Sequence, residues 1–355
     1  MTMAGEKIAS SRTWLASIFK EMFRLMHNQE RDNFDNFRYP EEHRNSFFYD
    51  VHAQYLSFLV ENADEFHVAR GLFEDQQSRD LFDKLILFRL LGHFHVRLPV
   101  NNRELLQRRE VPGEWKVDDT GDVGMFGPLS IFSVPYKGSD IWVKGGPSNV
   151  AASFLSGQYY FDRGGVQIAP ELGDYVIDGG GCLGDTALAF AADVGATGRV
   201  YTFDPMLKHC EIMREAFQMN PRLASHIELF DVGLADGDSV RDASHSTPQA
   251  INPGARLEQG LPTRTIDGLV RSSKIERIDL IKMDIEGSEL GALRGAENSL
   301  RRWRPKLAIS LYHRPEDFFA IPLWLKSLDC GYRFFLDHYS IHHEETVLYG
   351  TSAKD

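Results

Sequence analysis

Apolar residues return every three or four positions along the first quarter of the chain. Trp14, Ile18, Met22 and Leu25 share one face, with Leu15, Phe19 and Phe23 beside them, and that spacing predicts an amphipathic helix. Val51, Tyr55, Phe58 and Leu59 repeat the pattern. So do Leu81, Leu85 and Phe88, in a helix that Gly92 can end. Residues 1–98 therefore read as an N-terminal helical region whose apolar stripes pack on the rest of the protein. The same stripes would also serve a homo-oligomer contact.

Between residues 99 and 160 the period shortens. "LSIFSVPY" and "DIWVKGG" are β-rich runs separated by Lys137, Gly138 and Ser139, which predicts a small β hairpin. From 161 to 355 apolar runs alternate with helical patterns. "DYVID", "GRVYTFD", "HIELFDVGL", "IDLIKMD", "KLAISLY", "YRFFLDHY" and "ETVLYG" are the expected strands, with helices near 184–194, 206–219, 288–302 and 317–329. Such alternation implies an α/β fold with a mostly parallel sheet covered on both faces. Only a short loop joins the last two strands, so they are expected as an antiparallel pair at one edge. Residues 237–262 show no period and hold Gly, Ser, Pro and Asn, the texture of a loop excursion.

Composition narrows the classes of partner. At 355 residues the chain is long enough for two parts, each with its own core. A net charge of −12 argues against nucleic acid or an anionic membrane as the main partner. Cys182, Cys210 and Cys330 lie far apart, which is neither a disulfide framework nor a zinc site and fits a reducing compartment. The apolar segment from Trp14 to Met26 is broken by Lys20, Glu21 and Arg24, so it reads neither as a secretory signal nor as a stable membrane insertion. A cytoplasmic location is the expectation.

The candidate chemistry begins at "VIDGGGCLGDT", where a strand runs into glycines and then a helix. Gly179, Gly181 and Gly184 spell G-x-G-x-x-G, a dinucleotide-binding pattern. Asp178 stands just before the first glycine, where a pyrophosphate would be repelled. A positively charged ligand would be complemented there; the alternative is that Asp178 caps the turn. Asp204 ends the next strand and can accept hydrogen bonds from a ribose diol. S-adenosylmethionine combines a ribose with an ammonium and a sulfonium, so the two acids together favour it over NAD. Cys182 reads as a small residue in a tight loop and not as a nucleophile.

A second cluster lies in "LIKMDIEGSELGAL", which puts Asp284, Glu286 and Glu289 around the end of the fourth strand. Ligands of open α/β sheets bind at that end of the strands. Glu289 follows Ser288 and suits the start of a helix; Asp284 occupies the strand tip itself. His313 ends the next strand, and His338 the one after. Methylation of an alcohol needs its proton removed, and histidine titrates in the range for that work. Asp284, His313 and His338 are thus the candidate catalytic set. Hard oxygen ligands also suit Mg2+, so an ion on Asp284, Glu286 and a histidine stands as the less favoured alternative.

"VIDGGGCLGDT", "FDPMLKHCEIMREAFQMN", "GLADGD", "TRTIDGLV", "IERIDLIKMDIEGSELGALRGAE", "PKLAISLYHRPEDFFAIPLWLKSL" and "HYSIHHEETVLYG", taken in order over about residues 160 to 350, resemble the motifs of FkbM-family S-adenosylmethionine-dependent methyltransferases. That resemblance implies a class I methyltransferase (Rossmann-like) fold with a seven-stranded sheet. It also implies methylation of a hydroxyl on a sugar, glycan or natural product. By the same resemblance Gly180, Gly184 and Asp185 line the methionine end, Asp204 with Pro205 beside it holds the ribose, and Asp236 lies near the adenine. The family's loop more often reads Gly-Ala-Asn where this chain has Gly180, Gly181 and Cys182, so Cys182 enters the cofactor set at a position where the chain departs from the pattern. Two other classes use such a loop: a nicotinamide-dependent oxidoreductase, which Asp178 disfavours, and a non-catalytic binding protein, which the cluster of strand-tip residues disfavours.

Overall fold

Runs rich in Val, Ile, Phe and Tyr become strands, and helices separate them. The structure is a computed structural model that describes residues 3–27, 48–93, 95–100, 110–124, 127–241 and 261–352. It divides into two units, residues 1–106 with 311–348, and residues 107–310 with 349–355.

The second unit begins with an antiparallel meander of β1 (Lys116–Gly124), β2 (Gly127–Tyr136) and β3 (Ser139–Gly145). β2 and β3 are the expected hairpin. β1 was not legible because "KVDDTGDVG" is an outer strand exposed along nearly its whole length, so neither face selects apolar residues. The inner face of the meander, with Phe132, Val134, Ile141 and Val143, packs on Leu188 and Ala216 of two helices, Asp185–Val194 and Leu207–Met219. A short hairpin of β4 (Phe161–Arg163) and β5 (Val166–Ile168) follows.

The remaining strands are β6 (Tyr175–Gly179), β7 (Arg199–Phe203), β8 (Ile227–Phe230), β9 (Gly233–Leu234), β10 (Ser239–Arg241), β11 (Leu261–Arg264), β12 (Leu280–Met283), β13 (Lys306–Ser310), β14 (Arg333–His338) and β15 (Thr346–Thr351). Seven of them form one sheet in the order β14-β15-β13-β12-β6-β7-β8. The pairs from β13 to β8 are parallel. β15 lies inside β14, so β14 and not the last strand makes that edge; Thr346–Gly350 is accordingly buried throughout. β9, β10 and β11 form a separate small sheet at the ends of the expected loop excursion; residues 242–260 of that excursion lie outside the described residues. The helix expected over 288–302 is two, Glu289–Arg294 and Glu297–Trp303. They part at Gly295, where a Cβ would lie 2.0 Å from the carbonyl oxygen of Ala235.

The chain leaves β6 toward β7 and β8, then returns to β12 on the other side of β6. The switch point of the topology is therefore between the carboxyl ends of β6 and β12, where open α/β sheets bind ligands.

In the first unit the periodic stripes are α1 (Met3–Met26), α2 (Phe48–Glu61) and α4 (Gln76–Leu91), with α3 (Ala63–Gly71) between the last two. Asp75 caps α4 by accepting the Ser78 N–H at 2.6 Å, and Gly92 ends it at φ 72°. Trp14, Ile18, Leu81, Leu85 and Phe88 are buried as expected, but Phe23 and Met26 at the end of α1 are 60% and 50% exposed. The helices pack on parts of the chain far away in sequence. Phe66 meets Phe319 with ring centroids 5.0 Å apart, and Phe82 meets Phe318 at 5.7 Å. Phe73 forms an isolated parallel bridge with Phe334 of β14, and the Glu74 N–H donates to the Phe334 carbonyl at 2.9 Å. The edge strand is thereby partly paired.

Candidate functional site

The loop after β6 is tied to β7: the N–H groups of Gly180 and Gly181 donate to the Phe203 carbonyl at 2.9 and 3.0 Å. Gly180 has φ +81°, and a Cβ there would lie 1.9 Å from the carbonyl oxygen of Asp284. The loop and the tip of β12 thus touch backbone to backbone, which only glycine allows. At Gly181 a Cβ would lie 2.2 Å from Thr202 Oγ1. Thr202 therefore accounts for glycine where the resembling family more often has alanine. Cys182 follows at φ 47°, and burial, with Asp185 and Asp204 adding to it, pushes its thiol pKa far up. An unreactive packing residue is what that environment produces.

Asp178 lies beneath this loop. It is fully buried, accepts from Thr186 Oγ1 at 3.1 Å and Thr202 Oγ1 at 3.0 Å, and pairs with Lys282 Nζ at 2.9 Å. The Lys282 ammonium also donates to the carbonyls of Gly179 and Gly180, at 3.1 and 2.8 Å. Burial alone would lower the Lys282 pKa, but Asp178, Asp284 and Asp185 outweigh it and leave it raised. The Asp178 carboxylate thus balances a buried lysine and, through it, holds the loop from below. A lysine inside the apolar strand "LIKMD" was the sequence signal for this pair, since a buried ammonium needs a partner.

Asp204 occupies the carboxyl end of β7 as expected. Its Oδ1 accepts the Met206 N–H at 2.8 Å, and its Oδ2 accepts the Cys182 N–H at 3.0 Å with His209 Nδ1 also at 3.0 Å. His209, one turn into the following helix, was not singled out in the sequence. The Cys210 thiol donates to the Asp204 carbonyl at 3.2 Å. Pro205 is half-buried beside Gly233, a Cβ at which would lie 3.6 Å from the Pro205 ring. Gly184 at φ +84° leads into the helix that opens with Asp185, whose buried carboxylate accepts from Ser153 Oγ at 2.5 Å. Burial raises the Asp185 pKa. Asp236 is exposed after β9, its N–H 3.9 Å from where a Cβ of Gly291 would be.

Asp284 extends from the tip of β12 and accepts from the Tyr159 hydroxyl at 2.7 Å. Glu286 is exposed in the turn at φ 56°, and Glu289 is buried with its Oε1 accepting the Ile285 N–H at 2.8 Å. Glu289 thus serves the start of its helix. The two histidines belong to the first unit. His313 follows β13, half-buried against Tyr312 with centroids 4.1 Å apart. His338 is buried; its Nδ1 is 2.9 Å from Thr346 Oγ1 and its Nε2 3.5 Å from Ser340 Oγ. Thr346 and Ser340 thus tie the His338 ring to the turn between β14 and β15.

Residues 178–334 match the family model of the methyltransferase FkbM domain. No curated protein matches the chain. Among solved structures, methyltransferase FkbM from Methylobacillus flagellatus KT is 19% identical with a TM-score of 0.54, covering 83% of this chain and 60% of its own. That likeness shows the class I methyltransferase fold, and the chain spans 60% of that structure's length. Aeropyrum pernix fibrillarin, solved with bound S-adenosyl-L-methionine, is 14% identical over 68% of this chain and 86% of its own, with a TM-score of 0.38. An O-methyltransferase from Bacillus cereus, solved with SAH, is 14% identical over 51% of this chain and 75% of its own, with a TM-score of 0.35.

Proposed function

We propose, from the match of residues 178–334 to the methyltransferase FkbM domain, that the protein moves the methyl group of S-adenosylmethionine to a hydroxyl of a small-molecule or carbohydrate acceptor. The observation that carries the cofactor assignment is the joint between Asp204 and the glycine loop. A carboxylate at the end of β7 is locked by the Cys182 N–H and by His209 beside a loop with no room for side chains. A fixed carboxylate suits a ribose diol, and the bare loop lets a ligand approach the backbone. Asp185 and Asp284 add acidic groups to the same corner, which suits a cationic ligand and opposes a pyrophosphate.

Bound S-adenosylmethionine would supply an activated methyl group. The chain's own residues have three tasks: Asp204 holds the ribose, Asp284 and Asp185 face the charged end, and a base takes the proton of the acceptor hydroxyl. His313, placed just after the carboxyl end of β13, is the proposed base. A Mg2+ ion is not invoked.

Calorimetry tests the cofactor. S-adenosylmethionine or S-adenosylhomocysteine should bind, and NAD should not. Asp204→Ala should weaken binding by about 1.5–3 kcal/mol, the scale of hydrogen bonds to a charged group. Tight NAD binding with no response to S-adenosylhomocysteine would overturn the reading. Labelled methyl transfer into fractionated extract identifies the acceptor class. With that acceptor, His313→Ala should lower turnover about a hundredfold or more and leave cofactor affinity nearly unchanged; near-normal turnover would remove His313 as the base.

A further inference from the structure

Tyr159 has backbone geometry that an aromatic side chain rarely adopts. Its φ is +71°, and its side chain is buried. Bulky residues stay in that region only where the surroundings force them. Three contacts do so here. The Tyr159 N–H donates to the Tyr349 hydroxyl at 3.1 Å, Gln158 Nε2 donates to the Tyr159 hydroxyl at 3.1 Å, and the Lys282 ammonium lies 5.0 Å from the ring centroid. The result is a phenol whose proton is directed to Asp284 Oδ2 at 2.7 Å. The next residue, Tyr160, is used differently: its hydroxyl donates to Asp193 at 2.5 Å on the helix Asp185–Val194 and anchors the segment.

Asp284 is the acceptor of that phenol. The nearest cation on its own strand, Lys282, is engaged by Asp178 and by the carbonyls of Gly179 and Gly180. The carbonyl of Asp284 abuts Gly180, so its side chain starts at the contact between the glycine loop and β12. A hydrogen bond donated to a carboxylate stabilises its charged form and fixes its direction. We infer that Tyr159 is a positioning residue of the methyl-transfer site, holding the Asp284 carboxylate at the mouth of the glycine loop for the cationic end of the methyl donor. This role rests on the assignment of S-adenosylmethionine as cofactor.

The test separates a cationic ligand from its neutral counterpart, because S-adenosylmethionine carries a sulfonium and S-adenosylhomocysteine a thioether. In the full chain, Tyr159→Phe keeps the ring and removes only the hydroxyl. It should weaken S-adenosylmethionine about tenfold in calorimetry while S-adenosylhomocysteine changes less than about twofold. Adding Tyr159→Phe to Asp284→Asn should cost nothing further, since one residue acts through the other. Equal loss of both ligands, or additive losses, would overturn the inference in favour of a purely structural tyrosine. A second measurement needs no ligand. The infrared carboxylate band that disappears in Asp284→Asn should shift in Tyr159→Phe; an unmoved band overturns the inference. Wild-type protein that binds neither ligand overturns the cofactor assignment and this role together, while a shifted band would still establish the hydrogen bond itself.

Discussion

Among single residues, Lys282 carries the largest consequence. Its ammonium is buried with Asp178 and caps two carbonyls of the glycine loop. Breaking such a pair by removing one partner leaves a charge buried without compensation, at a cost of about 3–5 kcal/mol. Lys282→Met should therefore be destabilised by about that amount in urea titration. The double variant Asp178→Asn, Lys282→Met should recover a large part of the loss, because no lone charge remains. Equal losses in the single and the double variant would show that the pair is not coupled. Residues of this kind also mark the limit of sequence reading. Asp178 was legible as important, but its direction was not. Alternation along a strand says which face a side chain takes, and not which partner meets it there.

At the level of elements, glycine positions decide where helices stop and loops approach. The apolar pattern over 288–302 reads as one helix because nothing in the local sequence except Gly295 interrupts it. The break comes from a neighbour: the Ala235 carbonyl lies where a Cβ on Gly295 would be, at 2.0 Å. Backbone cannot yield as a flexible side chain does. Gly295→Ala should thus lower stability by about 1–3 kcal/mol, the range for overpacking, and thermal unfolding measures it; an unchanged melting temperature would show that the two segments can part. The same logic hid β1. Its polar sequence is what an exposed edge strand tolerates, so hydrophobic alternation had nothing to report.

For the whole molecule, one unit joins the two ends of the chain, residues 1–106 with 311–348. The helix Asp317–Ser327 and β14 belong with the N-terminal helices, through contacts such as Phe66 with Phe319 and the bridge of Phe73 with Phe334. A chain beginning at Gly157 would expose Phe318 and Phe319 together with the outer side of β14. It should aggregate in size-exclusion chromatography or bind a hydrophobic dye. A well-behaved, fully active truncation would show that the residues before Gly157 are a detachable module.

Periodicity along the chain by itself determined the helical start, the alternation of strands and helices, and hence the parallel sheet with its ligand-binding end. Those properties follow from local spacing, because a strand or helix face must be apolar to be buried whichever element covers it. The acids at the strand tips were legible for the same reason, as strand ends can be counted. Tertiary structure alone decided the rest: that Asp178 faces Lys282 and Asp204 faces His209, that Tyr159 meets Asp284 across 125 residues of chain, and that His338 is occupied by Thr346. Each is a pairing set by how elements pack in space, and side-chain chemistry along one chain does not specify which distant group satisfies it.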